Sequence, residues 1–322
     1  MQKLLTIAIP VYNGSSTLSE TIESVISQNE NINILISDNA STDATSTIAN
    51  EYAAKYDNVY YSRNEENVGY DRNFEICFQK SNTDFVWLLG DDDIVRPGAI
   101  KKVLETLEQY GNLGFIYVNY AMVNRQTNEV TKDRDLLIYQ DTYISAGEGC
   151  FDLLGEYPNF ISTLIFRRDT WNAVDKQKYF GSLYVQYAVF LAVTWKYDAY
   201  IISEPFIENK RRTENYEHKP EFYSKYFDNF YSLYKVIDEH HVFAKHKKLK
   251  NKKLREIVNR HLYKYIRVHK NNGGNFQLHH LIFVVRLIPK SYWSFLYILL
   301  MIMPIELYTS IKNLRKTWRF KN

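Results

Sequence analysis

The sequence is poor in cysteine, with only Cys77 and Cys150 among its 322 residues. Two thiols build neither a disulfide framework nor a cysteine-based zinc site. The chain also lacks a basic segment followed by a long apolar stretch at its start, so we expect no secretory signal. These absences together predict a protein of a reducing, cytosolic compartment.

Low-complexity segments and internal repeats are absent as well. The chain is 45% hydrophobic and 24% charged, which excludes disordered and collagen-like classes and allows a sizeable core. Aromatic residues are abundant, with 27 Tyr, 18 Phe and 5 Trp. This composition favours surfaces that meet sugars, bases or a lipid interface.

Charge is divided unevenly along the chain. Residues 241–322 contain 18 Lys and Arg against two acids, whereas residues 1–240 contain 22 against 35. A basic region of this kind favours an anionic partner, either nucleic acid or the negative face of a membrane. We therefore expect two regions, an α/β domain over residues 1–215 and a basic helical region over residues 216–322.

Short apolar segments alternate with helix-like segments in the first part of the chain. This alternation predicts right-handed β-α-β crossovers and a mostly parallel, Rossmann-like sheet flanked by helices, which is the α/β class. Ligands bind beyond the carboxyl ends of such strands. The predicted strands are Leu4–Pro10, Ile32–Ser37, Asn58–Ser62, Asp84–Leu89 and Gly114–Asn119, followed by less regular strands at Ile161–Arg167 and Tyr200–Glu208.

An acidic triplet, Asp91-Asp92-Asp93, follows the fourth predicted strand. Two carboxylates about 4 Å apart repel each other by about 4 kcal/mol at an effective dielectric constant of about 20. A hard divalent cation relieves this repulsion, and Mg²⁺ or Mn²⁺ is usually held by one or two carboxylates plus phosphate oxygens. The alternative is a solvated acidic turn, which the preceding apolar segment Phe85–Leu89 disfavours because it fixes the loop on the sheet.

Three further polar loops follow predicted strands. After the first strand, Tyr12 could stack on a base and Asn13 could hydrogen-bond it, although a plain turn would have a similar sequence. After the second strand, the Asp38 carboxylate suits the imide N–H of uracil or thymine, and its alternative role is N-capping of the next helix. After the third strand, Gly69 allows close backbone approach and Arg72 could face a ribose or a diphosphate.

Four motifs, in this order and spacing, resemble those of family 2 glycosyltransferases of the GT-A fold. They are IPVYN (Ile9–Asn13), SDNASTD (Ser37–Asp43), NVGYDRN (Asn67–Asn73) and WLLGDDD (Trp87–Asp93). The resemblance implies a nucleotide-diphospho-sugar donor, a divalent metal ion and inversion at the anomeric carbon. The donor-binding residues that it implies are Pro10, Tyr12, Asn13, Asp38, Asn39, Asn67, Arg72, Asn73, Asp91 and Asp92.

The acidic motif departs from the family pattern. Many members have Asp-x-Asp-Asp, and Gly90 stands in place of the first Asp, so the identity of the two working carboxylates is open. Simple Asp-x-Asp spacing favours Asp91 and Asp93 as metal ligands. His218 is a further candidate ligand, against the alternative of a solvated histidine.

A second departure concerns the catalytic base. The family usually has a Glu-Asp pair at the start of a later helix, whose Asp deprotonates the acceptor hydroxyl. Here Gln186 lies near that position, and an amide cannot accept a proton at neutral pH. Stabilisation of the departing diphosphate is expected from the metal and from Arg211 or Arg212. Three alternatives stay open: another carboxylate (Asp152, Glu148 or Glu156) serves as the base, the mechanism departs from that of the family, or catalytic capacity is reduced.

The C-terminal region is predicted to be helical. Its segment Ser291–Ile305 contains fifteen residues without a charge, whereas a membrane-spanning helix needs about 20. With cations on both sides, this segment predicts an interfacial helix on an anionic bilayer. The alternative is a helix buried against the first domain or against another subunit of a homo-oligomer. Nucleic acid is disfavoured because no nucleic-acid-binding motif is present. The predicted helices are Phe222–Glu239, Lys247–His269, Asn275–Leu287 and Tyr292–Leu314.

The resemblance predicts a glycosyltransferase that depends on Mn²⁺ or Mg²⁺, and the basic C-terminal region predicts that it is peripheral on the inner face of the cell membrane. It would move a sugar from a UDP- or dTDP-type donor to a hydroxyl of a surface polysaccharide or lipid-linked glycan precursor. One alternative is a non-catalytic binding protein that keeps the fold. The other is a sugar-nucleotide pyrophosphorylase, which Val11–Gly14 disfavours because that class has a Gly-rich loop with Lys or Arg after the first strand.

Overall fold

The computed structural model describes residues 3–211, 220–271, 299, 301–304 and 307–308. The chain divides into two compact units, Met1–Thr213 and Glu214–Asn322. The first unit is an α/β structure, and the described segments of the second unit are helical. The separate roles expected for residues 1–215 and 216–322 stay predictions.

The first unit is built on one sheet, in which the described residues form ten strands. The first five predicted strands correspond to β1–β4 and β6 below, and the two less regular ones to β9 and β10. The strands are β1 (Leu5–Val11), β2 (Asn33–Asp38), β3 (Val59–Arg63), β4 (Phe85–Leu88), β5 (Ile94–Val95), β6 (Leu113–Asn124), β7 (Val130–Lys132), β8 (Thr142–Ile144), β9 (Leu164–Arg167) and β10 (Asp198–Arg211).

Seven α-helices connect these strands within the described part of the first unit. They are α1 (Leu18–Ile26), α2 (Thr45–Lys55), α3 (Tyr70–Lys80), α4 (Ala99–Gln109), α5 (Gly149–Leu154), α6 (Arg168–Asn172) and α7 (Val185–Thr194). Short 3₁₀ turns occupy Tyr157–Asn159, Ile161–Thr163 and Gln177–Tyr179.

The strand order is β3-β2-β1-β4-β9-β6-β10-β5, with β7 paired to β6 and β8 paired to β10. The pairs β1–β2, β2–β3, β1–β4 and β6–β10 are parallel. In contrast, β9 is antiparallel to both of its neighbours, β4 and β6. The α/β class with a mostly parallel sheet is thus confirmed, and the antiparallel β9 in the middle is a feature that strand-helix alternation does not predict.

Successive strand residues point to opposite sides of the sheet, so buried strands present apolar side chains on both faces. Helices cover both of these faces. On one face, Ile9 of β1 packs in an apolar cluster with Ile22 of α1 and Val103 of α4. On the opposite face, Phe78 of α3 stacks on Trp171 of α6 with 3.8 Å between ring centroids. Complete burial of each such side chain contributes about 2 kcal/mol, so both helix layers are held firmly on the sheet.

The carboxyl ends of β1, β2 and β4 lie side by side. Val11 at the end of β1 pairs with Asp38 at the end of β2, and the N–H of Leu89 after β4 donates to Ala8 of β1 at 2.9 Å. The loops that follow these three strands therefore open at the same edge of the sheet. This is the edge where a ligand is expected.

The second unit contains two described helices, α8 (Pro220–Glu239) and α9 (Lys247–Asn271), joined by a 3₁₀ turn at His241–Ala244. They bury apolar side chains such as Ile237 and Leu254, and Lys250 pairs with Asp238 at 2.5 Å. Among the helices that the structure describes, none is both long and apolar enough to cross a membrane. The predicted helix Asn275–Leu287 and most of the predicted helix Tyr292–Leu314 lie outside the described residues.

Candidate active site

The acidic loop, Gly90–Asp93, follows β4 and packs against the loop that follows β1. A β-carbon placed on Gly14 would lie 2.1 Å from the Oδ2 of Asp91, so this contact requires a glycine at position 14. The N–H of Gly14 donates to the Thr45 hydroxyl at 3.0 Å, which fixes the loop further. The acidic loop therefore touches the segment that carries Tyr12.

The three carboxylates of the acidic loop differ in exposure. Asp91 and Asp92 are half-buried, whereas Asp93 is 3% exposed and accepts a hydrogen bond from the Ser162 hydroxyl at 2.5 Å. The Ser162 hydroxyl in turn accepts the N–H of Gly90 at 2.9 Å. Burial, followed by the negative charges of Asp92 and Asp91, holds the pKa of Asp93 well above its usual range. The carboxylates most accessible to a ligand are thus Asp91 and Asp92.

The acidic loop suits a cation that is shared with a bound phosphate. Over the described residues, no cluster of three or more His, Cys, Asp or Glu side chains could hold a metal ion by itself. A magnesium-type site with one or two carboxylates plus ligand phosphates needs no such cluster. The metal pair Asp91 and Asp93 stays a prediction, and the other predicted ligand, His218, lies outside the described residues.

Arg125, which the sequence pattern does not single out, holds the acidic loop from another side. Its guanidinium donates to the backbone oxygen of Asp92 at 2.5 Å and to Glu20 of α1 at 3.0 Å. Lys210 of β10 also donates to Glu20. Only the fold brings these residues together, so a sequence motif could not have revealed them. Arg212, predicted to stabilise the leaving group, lies outside the described residues.

Asp38 lies at the end of β2 as predicted, but its carboxylate is fully buried. Its Oδ2 accepts hydrogen bonds from Tyr61 at 2.8 Å and Arg63 at 2.6 Å, and its Oδ1 accepts the N–H of Ser41 at 2.8 Å. Burial alone would raise the pKa of Asp38, but the hydrogen bonds from Ser41, Tyr61 and Arg63 outweigh burial and lower the pKa. A base could reach this carboxylate only after a partner moves, so the predicted contact stays a prediction.

Three asparagines predicted to face the donor bind the chain itself. Asn39 donates to Asn67 at 2.8 Å and accepts the amide of Asn64 at 3.0 Å. Asn73 accepts the Ser37 hydroxyl at 2.8 Å and donates to the Ser37 backbone oxygen at 3.0 Å. This network joins the loops after β2 and β3 to the start of α3. These side chains therefore shape the donor side of the site, by which we mean the loops after β1, β2, β3 and β4 at the carboxyl edge of the sheet.

The loop after β1 carries an exposed aromatic side chain, that of Tyr12. Tyr12 is 43% exposed, which leaves its ring accessible to a stacked base. Asn13 has a left-handed backbone with φ of 56°, and its Oδ1 accepts the N–H of Thr42 at 2.8 Å. Pro10, predicted to contact the donor, is instead buried inside β1, so its ring cannot meet a ligand without movement of the strand.

Arg72 is exposed at the start of α3, and its guanidinium lies 4.8 Å from the centroid of the Phe180 ring. Both residues line a cavity of about 350 Å³ between α3 and residues 174–180. The exposed Arg72 guanidinium is accessible to a ligand, whereas the neighbouring Asn73 is buried. Of the two, Arg72 is therefore the one available to a donor.

Gln186 lies in the first turn of α7 and is buried. Its Nε2 donates to the backbone oxygen of Asn159 at 3.1 Å, and its Oε1 finds no partner within the described part of the chain. Of the carboxylates proposed as the base, Asp152 and Glu148 are exposed, whereas Glu156 is buried. After burial, the charge of Glu156 is the next contribution to the raised pKa of Tyr187, which places Glu156 beside α7.

An acidic loop, an exposed ring and several asparagines meet at the carboxyl edge of a parallel sheet, which is the edge where α/β proteins bind their ligands. The model of the protein family described as "Glycosyl transferase family 2" matches residues 6–176, which is more than half of the chain. The chain belongs to glycosyltransferase family 2, and it is a nucleotide-sugar glycosyltransferase. The family resemblance found in the four motifs is thereby confirmed.

Two bacterial relatives have similar sequences. The chain is 27% identical over 236 residues to the abequosyltransferase RfbV of Salmonella typhimurium. The aligned region covers 67% of this chain and 69% of that protein. It is 32% identical over 108 residues to the putative glycosyltransferase EpsE of Bacillus subtilis. This aligned region covers 33% of this chain and 39% of that protein.

A similar fold is found in TarS of S. aureus. The structure of TarS residues 1–349 with UDP has a TM-score of 0.62 at 15% identity, over 87% of this chain and 78% of that chain. The complex of the same protein with UDP-GlcNAc has a TM-score of 0.59 at 16% identity, over 84% of this chain and 80% of that chain. At such low identity the likeness shows the fold alone, and it confirms the predicted GT-A fold.

Replacing Asp38 by Asn should destabilise the protein at neutral pH, because it puts an amide group in place of a buried carboxylate that accepts hydrogen bonds from Ser41, Tyr61 and Arg63, a loss of about 1–3 kcal/mol. The folded-state pKa of Asp38 is lowered, so the stabilisation is complete above the unfolded pKa and is lost as pH falls through the folded pKa. The difference between the wild type and Asp38→Asn should therefore shrink below about pH 4. Urea unfolding at neutral and at acid pH measures both values.

Asp57→Asn is the matched control, since Asp57 is exposed in the turn before β3. Its free energy of unfolding should change by less than about 0.5 kcal/mol. If Asp38→Asn proved as stable as this control at neutral pH, the stabilising role given to the buried carboxylate would be wrong.

Proposed function

We propose that this glycosyltransferase moves a sugar from a UDP- or dTDP-type donor to a hydroxyl of a surface polysaccharide or lipid-linked glycan precursor, with inversion. The observation that carries the proposal is the packing of Asp91 against Gly14, beside the exposed ring of Tyr12. The relatives support it: one is named an abequosyltransferase, and another, 31% identical over 112 residues, is the minor teichoic acid biosynthesis protein GgaB of Bacillus subtilis. UDP and UDP-GlcNAc are the ligands named for TarS.

The donor is proposed to lie across the carboxyl ends of β1, β2 and β4. Its base would stack on Tyr12, and its diphosphate would lie toward Asp91 and Asp92, which are the accessible carboxylates of the acidic loop. A bound Mn²⁺ or Mg²⁺ supplies charge neutralisation for a departing diphosphate. Because Ser162 and Arg125 already hold the acidic loop, its carboxylates need little reorganisation during the reaction.

The transfer is proposed to be a single in-line displacement. The acceptor hydroxyl attacks the anomeric carbon, the bond between that carbon and the diphosphate oxygen breaks, and the hydroxyl proton passes to a base. Arg72 and either Arg211 or Arg212 are proposed to stabilise the negative charge that gathers on the diphosphate.

The base is proposed to be a carboxylate, because the amide of Gln186 has no useful proton affinity. Asp152, Glu148 and Glu156 remain the candidates, and the position of Glu156 beside α7 favours it. Gln186 would instead orient the acceptor. Its Oε1, which is buried and lacks a partner among the described residues, would accept a hydrogen bond from the acceptor hydroxyl once the residues that cover it move.

UDP together with Mn²⁺ should raise the melting temperature, because a ligand at about 100 times its Kd adds about 2.7 kcal/mol of stability. Asp91→Asn should lose most of the Mn²⁺-dependent part of this shift. It should also slow Mn²⁺-dependent release of UDP from UDP-GlcNAc by about 100-fold. Scanning fluorimetry with UDP, with UDP plus Mn²⁺ and with added EDTA, combined with a UDP-release assay, measures these effects.

Asp84→Asn is the control for these measurements, since Asp84 is exposed and precedes β4, at the opposite end of the strand from the acidic loop. It should behave as the wild type does. UDP release that stays at the rate of the wild type with Mn²⁺, both after addition of EDTA and in Asp91→Asn, would contradict a metal role for the acidic loop. Binding without turnover of any donor would favour the non-catalytic alternative.

We further propose that the basic second unit attaches the enzyme to an anionic membrane, where a lipid-linked acceptor would lie. In α9, Leu254 and Ile257 are buried, whereas Lys248, Lys252 and Arg255 are exposed. The spacing of these three cations places them on one side of the helix. Each cation near an anionic surface contributes about 1 kcal/mol to binding.

The variant Lys248→Glu/Lys252→Glu/Arg255→Glu should bind vesicles with anionic lipid more weakly than the wild type, and salt should weaken the wild type similarly. Deletion of residues 275–322 tests the apolar tail in the same way. Sedimentation with phosphatidylglycerol and with phosphatidylcholine vesicles measures binding. The control variant, Lys55→Glu/Lys80→Glu/Lys101→Glu, reverses three exposed charges of the first unit. If both the α9 variant and the deletion sedimented with phosphatidylglycerol vesicles as the wild type does, membrane attachment through this region would be contradicted.

A further inference from the structure

Asp71 connects two distant segments of the first unit. It lies in the first turn of α3 and is 3% exposed. Its Oδ2 accepts the N–H of Gly181 at 2.7 Å and of Leu183 at 3.0 Å, and its Oδ1 accepts the N–H of Val185 at 3.3 Å. Val185 begins α7, so a carboxylate of one helix binds the start of another.

The segment before α7 depends on an acceptor from elsewhere in the fold. Tyr184 is the N-cap residue of α7, and its side chain makes no capping hydrogen bond. The backbone is left-handed at Gly181 and at Leu183, with φ of 87° and 68°, a conformation that is unfavourable for leucine. The start of a helix also favours a negative charge. Asp71 therefore supplies both the missing cap and the charge.

The two residues after Asp71 extend the connection. Arg72 lies over the ring of Phe180, and Asn73 exchanges hydrogen bonds with Ser37 of β2. Three consecutive residues of α3 thus join the end of β2 to the segment that begins α7. Gln186 follows Val185 directly, so its position depends on this connection.

We infer that Asp71 is a positioning residue, which fixes the start of α7 and with it Gln186 relative to the donor side of the site. This inference rests on the proposed function, because a fixed distance matters only where an acceptor hydroxyl on the α7 side meets a donor on the β2 side. Displacement of an acceptor by about 1 Å is enough to slow transfer by about 100-fold.

Asp71→Asn tests the inference because it keeps the shape of the side chain and replaces one acceptor oxygen by a donor. Hydrogen exchange of the amides at 181–185 should become at least about 10-fold faster. With UDP-GlcNAc as donor and a mixture of octyl glycosides as acceptor, kcat for UDP release should fall at least about 10-fold. The KM for UDP-GlcNAc should stay within about twofold, since donor binding is not the step affected.

Two further variants separate positioning from a general loss of structure. Asp71→Glu keeps the charge and should restore part of the exchange protection, and Asp57→Asn should match the wild type in every measurement. Unchanged exchange at 181–185 in Asp71→Asn overturns the inference, as does a rise in KM for UDP-GlcNAc as large as the fall in kcat. Absence of UDP binding by the wild type overturns the proposed function itself. UDP binding with an unchanged kcat in Asp71→Asn overturns the positioning role alone.

Discussion

Repulsion among three adjacent carboxylates is the constraint on which the site depends. Asp91, Asp92 and Asp93 follow a buried strand, so they cannot disperse into solvent as they would on a free loop. The structure holds them through contacts from three other places in the fold. Ser162 donates to Asp93, Arg125 donates to the backbone of Asp92, and Gly14 leaves room for the Asp91 carboxylate. The result is a fixed concentration of negative charge at the edge of the sheet, which suits a cation shared with a diphosphate.

Internal hydrogen bonds shape the site on either side of this loop. The buried Asp38 carboxylate, paired with Arg63, and the asparagine network hold the loops after β2 and β3. Asp71 extends this framework to the start of α7. Most polar side chains of the four motifs are therefore occupied with the protein itself. Tyr12 and Arg72 stay exposed for a ligand, so a small number of groups would contact the donor while many others fix their geometry.

The sequence predicts what local patterns determine. Apolar segments of strand length separated by amphipathic helices locate β1, β2, β3, β4 and β6, and polar residues after each strand locate the donor side. It also locates β9 but does not predict that β9 is antiparallel, because the apolar pattern of a strand does not depend on its direction. It also does not predict the partners of Asp93 and Asp71, because Ser162 and Val185 lie 69 and 114 residues away along the chain. The buried state of Asp38 depends likewise on Arg63 in a neighbouring strand.

The central claim is that the acidic loop binds a divalent cation together with the diphosphate of a nucleotide sugar. The most direct measurement is an anomalous difference map, recorded at the manganese absorption edge from crystals grown with UDP and Mn²⁺. The account predicts a single strong peak between the UDP phosphates and the carboxylates of Asp91 and of one other residue of the triplet. Bound UDP with no peak at the acidic loop, or with its phosphates turned away from it, would contradict the account.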